Sequence, residues 1–284
     1  MLYEISIRFK DPDGGKSPLI VECLKRLDVD PSEVVENRSG ATGEIFFYSG
    51  NRIKADFFAK RIRKAGLKGI EVSVRGLKDA DWKSKWTENY HPFNITEEIR
   101  IVPYGSLRNG NIDRGKDIII RTDIIFGSGL HETTEHMAYF IRSKRGHINS
   151  FLDVGTGTGL LSIIAGKYGA RKIFCFDVDE DAVKNAEFNF KINNIKPDSL
   201  RVSGLRSYRC VRVFDFVAAN LLTRDLLEMK DKLMRFIAPK GYLAVSGVSL
   251  DNYDEFRDKF RPGGLKCLKV RKGKQWTGIL YKKK

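Results

Sequence analysis

Cysteine and histidine are scarce in this chain, four of each in 284 residues. Cys23, Cys175, Cys210 and Cys267 form no CxxC and no metal-ligand spacing, and His91, His131, His136 and His147 make no pattern with acids or cysteines that specifies zinc. Neither a disulfide scaffold nor a metal site is expected. No apolar run approaches the roughly 18 residues needed to cross a bilayer, and the start MLYEISIRFK has neither a positive n-region nor a long apolar h-region. The expectation is a reduced, cytoplasmic protein without a membrane span. The composition that is present, 42% hydrophobic and 31% charged, suffices for one large domain or two ordinary ones. Lys and Arg number 51 against 36 Asp and Glu, a net charge of +15 that favours an anionic partner or a soluble surface without deciding between them.

The first 75 residues read as strand (YEISIRF, 3–9), helix (17–28), a hairpin around RSGAT (34–37 and 43–49), a basic amphipathic helix (52–66) and a last strand (IEVSV, 70–74). The order βαββαβ predicts a small α+β, ferredoxin-like domain with both helices on one face of an antiparallel sheet. It has no phosphate loop, nucleophile arrangement or metal cluster, so recognition rather than chemistry is expected there. Arg52, Lys54, Lys60, Arg61, Arg63 and Lys64 read first as a solvated outer face, with RNA or protein contact as alternatives. Phe46, Phe47 and Tyr48 read as a core strand with one face outward. Residues 76–95 place Trp82, Trp86 and Tyr90 four apart, on one face of a helical linker that ends at His91-Pro92. That stripe either packs on a neighbouring domain or lines a groove. IRIVP (99–103) and DIIIRTDIIF (117–126) then read as strands joined by a polar turn or an exposed hairpin loop.

The informative segment is SFLDVGTGTGLLSIIAGKYGA (150–170) followed by KIFCFDVD (172–179): strand, glycine turn, helix, and a second strand ending in an acid. Gly155, Gly157 and Gly159 form GxGxG, but Leu160 stands where a dinucleotide fingerprint has its third glycine, and no GK followed by Ser or Thr closes a Walker loop. Glycine at 155 and 157 admits a ligand that a Cβ would obstruct. Asp177, 22 residues past Gly155, is placed to accept hydrogen bonds from a ribose. A ribose acid without a pyrophosphate signature predicts an adenosyl ligand, and S-adenosyl-L-methionine fits. The alternation continues through a helix at 179–194, strands at 200–204 and 213–222, a helix at 224–236, a strand at 241–247, a helix at 251–260, and LKCLKV and QWTGILY as an antiparallel pair. The predicted architecture of 96–284 is therefore a Rossmann-like α/β domain, with Gly155, Asp177, Ser203 and Asn220 on the rim at the carboxyl ends of its strands.

FGSGLHETT (126–134), LDVGTGTGLLS (152–162) and AANLL (218–222), with WKSKWTENYHPFNI (82–95) ahead of them, resemble the class I methyltransferases of the PrmA type, which trimethylate bacterial large-subunit ribosomal protein L-eleven. The resemblance covers almost the whole chain. It implies a small substrate-recognition domain, a helical linker and a catalytic domain acting on lysine or amino-terminal amines of that protein. It also implies that Asn220, Leu221 and Leu222 replace the NPPY element with which amino-methylating relatives hold a nitrogen. The cofactor set it implies, joined to the motif residues, is Phe126, Gly127, His131, Thr133, Thr134, Asp153, Gly155, Gly157, Gly159, Asp177, Val178, Ser203 and Asn220. The chain departs from the family pattern at Tyr104, at Thr122-Asp123 where Pro-Gly is usual, at Leu130 where threonine is usual, and at Ser203 where an acid is common.

The expected reaction is attack of a neutral amine on a sulfonium methyl, with the enzyme aligning donor and acceptor. Asn220 would accept hydrogen bonds from the amine rather than act as a strong base. His131 is read as a helix cap or an organiser of the cofactor loop, with acid-base work as the alternative, and Cys175 as a buried strand residue. The expected partner is ribosomal protein L-eleven, with transient ribosomal RNA contact, and the expected state is a monomer. A methyltransferase of RNA or small substrates and a noncatalytic binder are the rival readings, the first supported by the +15 and the basic helix.

Overall fold

The computed structural model describes residues 2–12, 14–27, 29, 34–49, 52–77, 91–109, 112–121, 129–205, 207–208, 212–261 and 263–284. The chain divides into two compact units, Met1–Asn89 and Tyr90–Lys284.

The first unit runs β1 (Leu2–Lys10), α1 (Lys16–Arg26), β2 (Val35–Ser39), β3 (Thr42–Ser49), α2 (Arg52–Lys64) and β4 (Ile70–Leu77). The strands order β2-β3-β1-β4, every neighbour antiparallel. Period-2 alternation sends Ile5, Ile7 and Phe9 of β1 and Ile45 and Phe47 of β3 into one core, where Ile20 and Leu24 of α1 and Ala55, Phe58, Ala59 and Ile62 of α2 meet them. Asp11 starts α1: its carboxylate accepts the N–H groups of Lys16 (2.9 Å) and Ser17 (3.3 Å), relieving two donors of the first turn. The basic side chains Arg52, Lys60, Arg61, Arg63 and Lys64 are exposed, and so are Leu19, Ile53 and Phe57. A recess of 810 Å³ is lined by Arg8, Lys10, Lys16, Glu44 and Glu71 among others. Its mixed charges include no nucleophile or metal set. Trp82, Trp86 and Tyr90 of the expected linker lie outside the described residues.

The second unit opens with β5 (Phe93–Asn94), β6 (Arg100–Pro103) and β7 (Asp117–Ile120), a separate three-stranded sheet. Sequence reading allowed a hairpin between the last two, and the structure corrects it: β6 and β7 pair in parallel, and Tyr104–Asn109 is a 3-10 turn in the crossing connection. Parallel neighbours cannot be joined by a tight reversal. Arg100 grips the buried Asp117 with two 2.7 Å hydrogen bonds.

Then follow α3 (Glu132–Ser143), β8 (Ser150–Val154), α4 (Leu160–Lys167), β9 (Lys172–Asp177), α5 (Glu180–Ile192), β10 (Ser199–Val202), β11 (Phe214–Asn220), α6 (Thr223–Arg235), β12 (Ile237–Ser249), α7 (Tyr253–Lys259), β13 (Leu265–Lys272) and β14 (Trp276–Lys283). The seven strands order β10-β9-β8-β11-β12-β14-β13, parallel from β10 to β12, with β14 and β13 antiparallel at one edge. Alternate residues feed opposite faces: Phe151, Phe216, Ala218 and Ala244 face a core with α3, α4 and α5, while Leu152, Val217, Ala219 and Val245 face one with α6 and α7. Burial on both sides explains the near-continuous apolar reading of β11. β10 and β13 are the edge strands, and Lys266, Cys267, Leu268 and Lys269 on β13 are exposed around a register shift. Among the described residues no helix is long and apolar enough to cross a membrane.

Candidate active site

Asparagines recur every fourth residue on α5. Asn193 exchanges both main-chain hydrogen bonds with Ile119, and Asn189 does the same with Arg121 while also donating to Thr158 O of the glycine turn (2.9 Å). The helix step of four residues matches two residues of strand, so α5 fixes the extension of β7 against the turn. Asn185, one turn earlier, is buried with neither side-chain polar atom bonded.

The turn itself joins β8 to α4. Gly155, Gly157 and Gly159 all have positive φ (73°, 54° and 80°), and the N–H groups of Gly155 and Thr156 both donate to Phe176 O at 3.0 Å. A Cβ on Gly155 would come within 2.7 Å of Leu221 Cδ2. The positive φ by itself favours glycine there, and the Leu221 side chain packs over the position. At Gly157 nothing among the described residues stands within 4 Å of the Cβ position.

Asp177, the last residue of β9, accepts the N–H of Gly157 through Oδ2 (2.8 Å) and that of Asp179 through Oδ1 (3.1 Å). Each oxygen retains a lone pair for a hydroxyl. Because Gly157 N–H is already spent on Asp177, the turn has one donor fewer for a pyrophosphate. Val178 beside it is 75% exposed, an apolar surface at the rim. Ser203, past β10, donates its N–H to Asp177 O (2.7 Å), and its Oγ lies against Gly204 O and Ser207 Oγ. Under the turn, Asp153 is 1% exposed: Oδ2 accepts the hydroxyls of Thr156 (2.9 Å) and Ser162 (2.8 Å), while Oδ1 is buried without a partner. Burial pushes its carboxyl up to about 6, against the opposing hydroxyl donors. Its register neighbour Cys175 is fully buried, and burial pushes that thiol up as well.

Across the rim, His131 caps α3. Its Nδ1 accepts the Thr133 N–H (3.3 Å) and lies 2.7 Å from Thr133 Oγ1. In the tautomer whose Nδ1 accepts the Thr133 N–H, the Thr133 hydroxyl donates to the same nitrogen. Thr133 Oγ1 is then left to accept, and Asn220 Nδ2 donates to it at 3.2 Å. The chain Asn220 to Thr133 to His131 fixes the amide's orientation and turns Asn220 Oδ1 into the available acceptor at the end of β11. Thr134, 5% exposed, continues the cap through its N–H to His131 O (2.9 Å). Leu221 bonds Ser246 O and covers Gly155, while Leu222, 59% exposed, is the residue before α6. Phe126, Gly127 and the Thr122-Asp123 pair lie outside the described residues.

Two residues absent from the sequence-derived set join this rim. The Trp276 ring lies 5.4 Å from the His131 ring, and Glu132 accepts the N–H groups of Lys274, Gln275 (3.0 Å) and Trp276 (2.9 Å). The signal available in the sequence was a lone tryptophan just past the basic turn RKGK. Among the described residues no group of three metal-ligating side chains occurs. An open glycine turn, an acid beside it and a buried carboxylate oxygen without a partner suit a nucleoside whose remaining arm is cationic. Gly155–Gly159, Asp177, Val178, Ser203 and Asp153 would hold it.

The family described as Ribosomal protein L11 methyltransferase (PrmA) matches residues 30–284. The Ribosomal protein L11 methyltransferase of Staphylococcus saprophyticus is 28% identical over 95% of this chain and 92% of its own. That of Lactococcus lactis subsp. cremoris is 31% identical over 81% of this chain and 70% of its own. In structure, the ribosomal protein L11 methylase of Lactobacillus delbrueckii subsp. bulgaricus superposes with a TM-score of 0.63 at 24% identity, covering 69% of this chain and all of that one. The last comparison bears on the fold, a Rossmann-like methyltransferase sheet, and the family match extends over nine-tenths of the sequence. The chain belongs to the Ribosomal protein L11 methyltransferase (PrmA) family.

Proposed function

We propose that the protein transfers methyl groups from S-adenosyl-L-methionine to lysine or amino-terminal amines of ribosomal protein L11. The observation that carries this reading is the Asn220–Thr133–His131 chain, which presents one amide oxygen at the strand end next to the glycine turn. The cofactor, when bound, supplies a methyl already activated by its sulfonium. What remains for the protein is to bind, orient and exclude water. An amine arriving neutral donates an N–H to Asn220 Oδ1, and that contact points its lone pair away from the amide and toward the donor. A lysine amine titrates near 10.4 in water, so the pocket must favour its neutral form. Leu221 and Leu222 provide apolar walls that favour that form and tolerate an amine already carrying methyls.

In this reading residues 1–75 are a ferredoxin-like domain for protein recognition, 76–95 a helical linker and 96–284 the catalytic domain. The βαββαβ order and the β2-β3-β1-β4 sheet support the first assignment. A cytoplasmic monomer that meets ribosomal RNA only in passing completes the reading. The test offers cofactor carrying a labelled methyl to purified ribosomal protein L11, to free ribosomal RNA and to assembled subunits. Label in lysine or the terminal amine of the protein is the expected outcome, and label confined to RNA would reject it.

A further inference from the structure

One face of α3 is occupied by the turn between β13 and β14. Glu132, Glu135, His136 and Tyr139 stand at positions i, i+3, i+4 and i+7, and each meets that hairpin. Glu132 takes three successive main-chain N–H groups, of Lys274, Gln275 and Trp276. Glu135 pairs with Arg271 at 3.3 Å, the Arg271 guanidinium lies 4.2 Å over the Tyr139 ring, and His136 Nε2 donates to Trp276 O at 3.2 Å. The approach is close enough that a Cβ on Gly273 would fall 2.0 Å from Glu132 Oε1. The hairpin is thus fastened to the first turn of the helix whose cap, His131, leads through Thr133 to Asn220.

A surface hairpin at a sheet edge has no structural need for a carboxylate that collects three N–H groups; one or two of them would reach water. What this arrangement does fix is the start of β14, and with it the indole that lies beside His131. We propose that Glu132 is a positioning residue for methyl transfer: by fixing the 274–276 main chain it holds Trp276 as the aromatic wall along which the acceptor's alkyl chain reaches Asn220. The inference rests on the amine-methylation reading. An indole face suits that task, since it packs on methylenes and attracts the alkylammonium that each round of methylation leaves behind.

The test uses the full chain with Trp82→Phe and Trp86→Phe, so that Trp276 is the sole tryptophan. Glu132→Ala should shift its emission to the red and raise acrylamide quenching about twofold, with Glu132→Gln between the two because it keeps one acceptor oxygen. Unchanged quenching in Glu132→Ala overturns the positioning role whatever the substrate proves to be. In turnover, Glu132→Ala should raise KM for the acceptor protein at least fivefold while leaving S-adenosylhomocysteine affinity within twofold. In a Trp276→Ala background the same change should add less than twofold. Full additivity, or equal losses in cofactor and acceptor binding, would reject the route through Trp276. If Glu132→Ala does not fold, Glu132→Gln against wild type carries the same comparisons. Failure of wild type to methylate ribosomal protein L11 would sink the functional reading and leave the emission result to decide the hairpin's anchoring.

Discussion

The two units place their buried polar groups differently. In the first, the buried polar side chains among the described residues are Ser6, Asp11, Ser17 and Ser49, while Leu19, Ile53 and Phe57 are left on the outside of its helices. In the second there are twelve among the described residues, and six of them, Thr133, Thr134, Asp153, Thr156, Thr158 and Ser162, surround the glycine turn and the cap of α3. Burying a polar group without full pairing costs on the order of 1–3 kcal/mol, so such groups concentrate where something is gained from their fixed placement. Exposed apolar side chains occur on both units, with Leu130, Val178, Val202, Val213 and Leu222 among those of the second. The charge follows a different division: residues 1–89 hold 17 Lys and Arg against 14 Asp and Glu, and residues 90–284 hold 34 against 22. Most of the surplus therefore belongs to the second unit, although the basic helix that drew attention in the sequence is in the first.

The largest effect that would separate the two units is expected at Asp177, the acid proposed to hold the ribose. Asp177→Ala should weaken S-adenosylhomocysteine binding about 100-fold, roughly 3 kcal/mol for charge-assisted hydrogen bonds, while calorimetric binding of the acceptor protein is retained. Loss of both would erase the distinction. Asn220→Ala should lower kcat about 100-fold, about 2.7 kcal/mol of barrier, with cofactor affinity within threefold. An unchanged kcat would remove Asn220 from the reaction.

Asp153 gives the comparison a pH axis. Its carboxyl titrates near 6 in the folded protein, above its unfolded value, so folding favours the protonated form. Its stabilising contribution is complete below the unfolded value of 3.8 and is lost as pH rises through about 6. Asp153→Asn should therefore stabilise the ligand-free protein by about 2 kcal/mol at pH 7 and by nothing at pH 4, read from urea midpoints at the two pH values. A pH-independent difference would refute the buried-acid account. The smallest effect belongs to the first unit: Ile53→Ser with Phe57→Ser should raise KM for the acceptor protein about tenfold, about 1.4 kcal/mol, with kcat and cofactor affinity unchanged. If KM stays fixed, recognition uses another surface.

How much of this was legible in the sequence depended on whether the signal was local. GxGxG followed by a helix and a strand ending in Asp177 is a local pattern, and the periodicities of β1, α1, β8 and β11 are written in consecutive residues. The parallel pairing of β6 and β7 was not legible, because two short apolar runs separated by a polar loop look the same whether the chain reverses or crosses over. Nor was the packing of Leu221, 66 positions away in the chain, over Gly155. Glu132 and Trp276 are 144 residues apart, and only the antiparallel return of β14 beside β12 brings them together. His131 as a cap was readable from HETT, while its link to Asn220 needed the order in which β8 and β11 adjoin.

The open edge at β13 gives the surplus of charge a further meaning. A strand with one side unpaired invites the same strand of a second copy, and long flat apolar edges are where folded proteins begin to aggregate. Here Lys266, Lys269 and Lys272 are exposed along the edge, and the register shift between Cys267 and Lys269 breaks its flatness. Two such edges brought together would oppose lysine to lysine across a mismatched ladder. Part of the basic surplus thus lies on an edge that would otherwise invite pairing, a placement that asks for no binding partner.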